Sequence, residues 1–489
     1  MRWLQRLLGN HGTRSRDTAP PPDLLDLELC HFSDADPFTL RDACEGVQIF
    51  GATGSGKTSG SGAALARAYL AAGFGGLVLC CKADERALWE RYAAETGRTA
   101  DLIVFGPGSP WRLNVLEYEL TRPGAGAGLT ANIVELFMQT LEAGGRAKQS
   151  GGEPFWNDAL KEILRNDVEL VALATGKLSL ADLYDVIESA PQSPEQVCDE
   201  RWQRESVCFA CLEAAERNAT TPEKRGDYEQ TERYWLRRFP QLAEKTRSII
   251  VTSFSAIADA FLRHPVREMF CTDTTVRPED SQAGKIIILD LPVKEFNEVG
   301  VFAQVLVKLA WQKAMERRDI MRSPLPVFLW ADECQYFLTS YDQLFQTTAR
   351  SSRTCTVYLT QNLPNYYAAF GEGKGHSQAD SLLGNLQTKI FHTNGDSITN
   401  EWASKLIAQV WQNKTSITGG ASTNAQGESE NNGFSFAEQL AAQVLPVEFT
   451  MLKKGGAPNG NQVDGIVFQS GRVWAHTGTN FIHVTFSQF

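Results

Sequence analysis

The chain has 489 residues, 43% of them apolar, with 47 Lys and Arg against 58 Asp and Glu and a net charge of −11. That length suits one large α/β core with an inserted or appended domain, and the apolar share excludes global disorder. The acidic balance counts against a broadly basic nucleic-acid-binding surface but leaves room for a local basic strip, and without a run of about 18 apolar residues no integral membrane segment is expected.

The N-terminus, MRWLQRLLGNHGTRSR, is basic and has no acids. Its apolar part (Leu4, Leu7, Leu8) is too short for a secretory core, so it reads as a frayed tail or as an amphipathic anchor lying on a surface. Pro- and Asp-rich residues complete an N-terminal arm over 1–45. Short apolar runs at 47–50, 76–81 and 102–105 predict buried strands, and 63–72 a helix between the first two. From about 121 the strand-like runs cease. Trp156, Leu160, Ile163, Leu164, Val168 and Val171 recur at helical spacing, predicting an all-helical domain over 120–245, with mobile glycine loops at 124–128 and 144–152. Strands at 286–289, 327–331, 356–360 and 389–391, and helices at 249–261 and 301–315, then resume the alternation of a mainly parallel sheet. The nucleotide-binding domain thus divides into 46–119 and 246–489. Residues 412–435, rich in Gly, Ser and Asn, read as a flexible loop. Ten scattered cysteines form no disulfide framework, which favours a cytoplasmic protein. Cys208 and Cys211, with Cys198 nearby, lack an evident fourth zinc ligand and read as ordinary thiols.

The sharpest signal is Gly51-Ala52-Thr53-Gly54-Ser55-Gly56-Lys57-Thr58, a GxxxxGK[ST] loop between a predicted strand and a predicted helix. The glycines let several backbone N–H groups face one anion, and the helix adds its positive end. Gly51, Thr53, Gly54, Ser55, Gly56, Lys57 and Thr58 are the candidate ATP-binding residues. Lys57 reaches the β- and γ-phosphates, and the Thr58 hydroxyl is a ligand for Mg²⁺.

Such a loop needs an acidic partner on a neighbouring strand. Asp290 ends one candidate strand, and Asp332-Glu333 end another. The second pair is preferred because hydrolysis needs two acidic roles: Asp332 to hold Mg²⁺ through water, Glu333 to polarise the attacking water. Gln361, at the tip of the next strand, suits a sensor of the γ-phosphate or the lytic water. Arg350 and Arg353, before that strand, are candidates for a finger that reaches into a neighbour's site, or else solvated charges.

Together these residues resemble the coupling ATPases of conjugation and type IV secretion, within the FtsK/HerA-like motor superfamily. The likeness spans most of the chain. Lys82-Ala83-Asp84-Glu85 resembles the family's DPKGE-like segment, Arg112-Leu113-Asn114-Val115-Leu116 its "N-P-L" segment, and Phe155-Trp156-Asn157 its "FW" opening of the helical insertion. ADE at 331–333 and LTQN at 359–362 resemble the second acidic motif and the glutamine sensor. Residues 384–386 and 395–399 resemble later segments. The resemblance implies a RecA-like P-loop ATPase with an inserted all-α domain, a homo-hexameric ring, DNA as cargo, and a relaxase or secretion-channel protein as partner. It also gives Arg350 the finger role. The chain departs from the family in lacking N-terminal membrane helices, in Cys80 where an acid is usual, and in Val115 where proline is usual. A cytoplasmic protein, or one peripheral at the inner membrane, is therefore expected.

The loop over 365–376 offers Tyr366, Tyr367 and Phe370 for base stacking and Lys374 for phosphate; the competing reading packs the aromatics into the core. Arg263, His264 and Arg267 form a small basic cluster that reads as a surface face. Two further functions stand beside a coupling-type DNA translocase: a cytosolic HerA/FtsK-like translocase of duplex DNA in defence or repair, and an ATP-dependent receptor for protein or nucleoprotein substrates.

Overall fold

The computed structural model describes residues 23–143, 154–371, 373, 375–424 and 427–489. The basic N-terminal tail, the loop expected at 144–152 and Lys374 lie outside the described residues.

Thirteen strands are described: β1 (Glu28–Ser33), β2 (Asp36–Thr39), β3 (Val47–Phe50), β4 (Gly75–Leu79), β5 (Leu102–Phe105), β6 (Ile286–Leu289), β7 (Val327–Ala331), β8 (Thr354–Thr360), β9 (Thr388–Phe391), β10 (Gln409–Asn424), β11 (Gly427–Ala442), β12 (Gln462–Gln469) and β13 (Phe481–Ser487). Nine of them make one sheet in the order β13-β12-β9-β3-β8-β7-β4-β6-β5. From β9 to β5 every pairing is parallel, with Ile49 opposite both Leu359 and Ile390. β12 then pairs antiparallel with β9 and with β13. The strand sequences show why. VQIF, IIIL, VFLWA and TCTVYLT are buried along their whole length, so they need no polar alternation. The two layers of core on the sheet's faces separate the odd from the even residues of β3: Phe50 belongs to one, Val47 and Ile49 to the other.

Between β5 and β6 no strand occurs among the described residues. Helices run from Val115–Thr121 to Val266–Phe270. Leu160, Ile163, Leu164, Val168 and Val171 bury one stripe of the helix Pro154–Thr175, as their spacing predicted. The helix Glu244–Phe261 crosses residue 245 without a break, and Arg247 and Ser255 tie it to Gln192 and Glu188. The alternation of strand and helix therefore resumes only at β6.

Two segments differ from expectation. Residues 412–435 are not a flexible loop: they belong to the antiparallel hairpin β10–β11, which pairs with no strand of the large sheet. Thr415, Ile417, Phe434 and Phe436 supply period-2 β-formers that the Gly, Ser and Asn around them hide in the composition. Trp411 pairs with Leu440, Thr415 with Phe436 and Ile417 with Phe434, all on one exposed face. The arm also ends earlier than expected. β1 and β2 form a hairpin whose Phe32 stacks edge-on against Trp474 and Phe486, fixing the chain from Glu28 onward to the C-terminal strands.

Candidate functional site

β3 delivers the loop Gly51–Thr58 at the C-terminal edge of the sheet. Gly54 and Gly56 hold φ of +73° and +84°, the left-handed region where a side chain is strained. At Gly56 there is also no room: a Cβ would stand 2.5 Å from Val463 Cγ2. The chain then enters the helix Ala63–Ala71 through one wide turn, in which the Gly62 N–H donates to the Lys57 carbonyl at 2.9 Å, five residues back. Such π-type turns are rare and cluster at functional sites.

Asp332 and Glu333 follow β7. The expectation of a strand neighbouring β3 is not met: β8 lies between β3 and β7. The intervening strand is what sets Gln361, at the tip of β8, between the loop and Glu333. The Thr58 hydroxyl donates to Asp332 Oδ2 at 2.7 Å, and Lys57 Nζ donates to Glu333 Oε1 at 3.4 Å. Glu333 also accepts from Gln361 Nε2 at 3.3 Å and from Gln335 Nε2 at 3.0 Å. Gln335 is held in turn by the Thr360 hydroxyl. Glu333 keeps this position with φ +51°, a strained value for a non-glycine residue and one typical of functional sites. Lys82, on the turn after β4, stands 3.8 Å from Asp332 and 3.7 Å from Glu333.

Burial pushes the Glu333 carboxyl up, but Lys57, the two glutamine amides and Lys82 outweigh it and hold the group below its ordinary value. Burial pushes Lys82 down, yet Asp332 and Glu333 bring it above its ordinary value. Both groups are thus ionised at neutral pH, and Glu333 is a carboxylate fit to accept a proton. Asp290, the rejected alternative, lies at the end of β6 and pairs with Arg86 at 3.0 Å, away from this cluster.

The loop, Lys57, Glu333 and Gln361 line one cleft of about 470 Å³. Its donor set fits a nucleotide phosphate with Mg²⁺. Lys57 and Lys82 supply positive charge, a hydroxyl and a carboxylate stand 2.7 Å apart as hard oxygen ligands, and the buried Ser55 hydroxyl has no partner among the described residues.

The structure does not bring Arg350 to this cleft. It precedes β8 at the opposite edge of the sheet, half exposed, with Nη1 3.0 Å from Glu45. Arg353 is bound into the turn, donating to the Pro324 carbonyl at 3.1 Å. Tyr366 is fully buried and donates to Gln48, so it packs the core, while Tyr367 stacks on His376 at 3.7 Å. Arg263 and His264 pair with Asp259 and Glu268, as a surface face does. Among the described residues no three His, Cys, Asp or Glu side chains gather as a metal site, and Cys208 and Cys211 belong to no such group.

Sequence reasoning missed the floor of the cleft. Val463, His392 and Gln488 approach the loop from β12, from the end of β9 and from the chain's end. The alternation in QVDGIVFQ was a strand signal; nothing local marked His392.

Residues 326–448 match the family described as the TraM recognition site of TraD and TraG. No curated protein matches the chain. Among solved structures, the bacterial conjugative coupling protein TrwBdeltaN70 in an unbound form is 15% identical, with a TM-score of 0.59 over 100% of this chain and 92% of that one. Its trigonal form in complex with sulphate is 14% identical with a TM-score of 0.61, over 96% and 90%. Plasmid coupling protein TrwB in complex with ADP and Mg²⁺ is 15% identical, with a TM-score of 0.58 over 97% and 90%. The fold is that of these coupling proteins: a RecA-like P-loop core with a helical insertion. Among the described residues no helix is long and apolar enough to cross a membrane.

Proposed function

We propose that this chain is the ATP-hydrolysing subunit of a ring motor that moves DNA, in the manner of a conjugative coupling protein. One observation carries the ATPase reading: Lys57, Thr58, Asp332, Glu333 and Gln361 converge from three strand ends on one cleft. The DNA reading is supported by the likeness to coupling proteins over nearly the whole chain. The sheet and its flanking helices, over 28–105 and 286–489, would form the motor domain, and the helices between β5 and β6 the helical domain.

In this reading the N–H groups of the loop 51–58 and Lys57 bind the phosphates, and Thr58 and Asp332 hold Mg²⁺. When held by these residues, Mg²⁺ would supply positive charge to the phosphate oxygens. Glu333 accepts the proton of the attacking water, and its contact with Lys57 is exchanged for that water. Gln361 orients the same water from β8. Arg350, half exposed and distant from its own cleft, is free to serve a neighbour's cleft in a ring once it leaves Glu45. Glu333→Gln is then expected to bind ATP without turning it over.

A second reading has its own observation. Residues 326–448, which match a family described as a recognition site, include the hairpin β10–β11 with Trp411, Phe434 and Phe436 exposed. Recognition of a partner protein, such as a relaxase or a channel component, would use such a face. Steady-state ATPase measured at low salt with and without single- and double-stranded DNA separates the readings. Stimulation by one DNA form supports the translocase and selects its substrate. No stimulation, in protein that assembles into rings with ATP, overturns autonomous DNA translocation and favours the receptor.

A further inference from the structure

The first turn after the phosphate loop is held from below. Ser61 is fully buried, and its Oγ stands 2.7 Å from His392 Nε2. On the other side of the ring, His392 Nδ1 lies 2.8 Å from the Asp464 carbonyl oxygen. A carbonyl only accepts, so Nδ1 carries the proton. Burial pushes the imidazole down to about 4, so the ring is neutral at physiological pH and Nε2 is bare. Nε2 must therefore accept from the Ser61 hydroxyl. The direction of both bonds is fixed by chemistry.

The antiparallel edge, β12 and the end of β13, supports the loop and its turn twice more. Val463, next to Asp464 on β12, fills the space under Gly56 and Gly60, where a Cβ would come within 2.5 Å and 3.2 Å of it. Gln488, just past β13, donates from Nε2 to Ser59 Oγ at 2.6 Å. Ser59 and Ser61 lie in the wide turn Thr58–Gly62, which immediately follows Lys57. The antiparallel edge of the sheet is thus built into the floor of the phosphate loop.

We propose that His392 is a positioning residue for the nucleotide: as a relay of fixed tautomer between the Asp464 carbonyl and Ser61, it sets the turn from which Lys57 and Thr58 project into the cleft. This rests on the reading of that cleft as the nucleotide site. His392 touches no substrate; it acts through Ser61. Its loss should loosen the loop's grip on the phosphates and leave the chemistry of Glu333 and Gln361 intact.

The test measures ATP affinity by equilibrium titration, and KM and kcat by steady-state turnover, for Ser61→Ala, His392→Leu, the double variant and His392→Gln. One hydrogen bond's net worth corresponds to a change of up to about tenfold. Ser61→Ala and His392→Leu should each weaken ATP binding and raise KM by about fivefold to tenfold, with kcat within about twofold. The double variant should be no worse than either single one, because both break the same link. His392→Gln, which keeps an acceptor for Ser61, should recover most of the affinity. Wild-type KM in Ser61→Ala, additive losses in the double variant, or a fall in kcat at unchanged KM would overturn the proposal. Ser61→Ala removes a single oxygen and decides the matter alone if His392→Leu does not fold. Lys57→Ala separates the two readings: if it binds ATP as wild type does, the nucleotide-site assignment fails, whereas if it loses binding and Ser61→Ala does not, only the relay fails.

Discussion

Asp342 and Asp167 are both fully buried carboxylates, one beside the sheet and one in the helical insertion, and their surroundings are opposite. Asp342 accepts from Lys308 Nζ at 2.5 Å, from Gln312 Nε2 at 2.9 Å, from the Tyr358 hydroxyl at 2.7 Å and from the Thr339 N–H at 2.7 Å. It ties the helix Val293–Arg317 to β8 and to the segment after β7. Among the described residues Asp167 has no hydrogen-bond partner for either oxygen. Burial, then the nearby Asp182, pushes its carboxyl well above the ordinary range. The core beside the sheet thus uses one buried charge to join three elements. The insertion carries one that joins nothing and is cheapest to keep protonated.

The contrast can be broken most sharply at Lys308. Lys308→Met removes the cation paired with Asp342 and should destabilise the fold by about 3–5 kcal/mol, read as a lower urea midpoint. Asp167→Leu should do the reverse, stabilising at pH 8 by about 1–3 kcal/mol because an unsatisfied polar group leaves the interior. Its sign with pH follows from linkage. The folded pKa of Asp167 lies above the unfolded one, so the folded state binds more protons between the two values. The wild type then loses stability as pH rises from about 4 through the folded pKa. The advantage of Asp167→Leu should accordingly grow between pH 5 and pH 8, and a constant difference across that range would contradict the assignment. The smallest effect sharpens the comparison: Tyr358→Phe takes a single donor from Asp342 and leaves the others, and should cost about 1 kcal/mol in the same urea series.

What the sequence revealed follows the same division between local and distant causes. The phosphate loop, Asp332-Glu333 and Gln361 were legible because each stands at a strand end whose apolar run announces it, and their chemistry is a matter of residue type and short spacing. The strand order was not legible. β8 enters between β3 and β7 through pairings that no window of residues contains, and without it the contact of Gln361 with Glu333 has no explanation. His392 was invisible for the same reason, since its partners Ser61 and Asp464 are 331 and 72 residues away. The hairpin β10–β11 failed differently: Gly, Ser and Asn between the β-formers mimic a linker, and composition outweighed alternation. Asp342 and Asp167 are equally acidic on paper; only packing tells the tied one from the stranded one.

The projecting hairpin has a mechanical consequence. Each strand has 16 residues, so the ribbon extends about 50 Å from a base where Ser404 donates to the Val444 carbonyl and Gln443 donates to that of Ala408. A ribbon fixed at one end is a lever. A tilt of about 5° at the base moves its tip by about 4 Å. The base follows directly on the helix Ser397–Ile407, whose capping residue Asp396 comes four positions after His392. A rotation of that helix too small to disturb the sheet is thereby magnified, at the far end of the arm, into travel larger than the width of an atom.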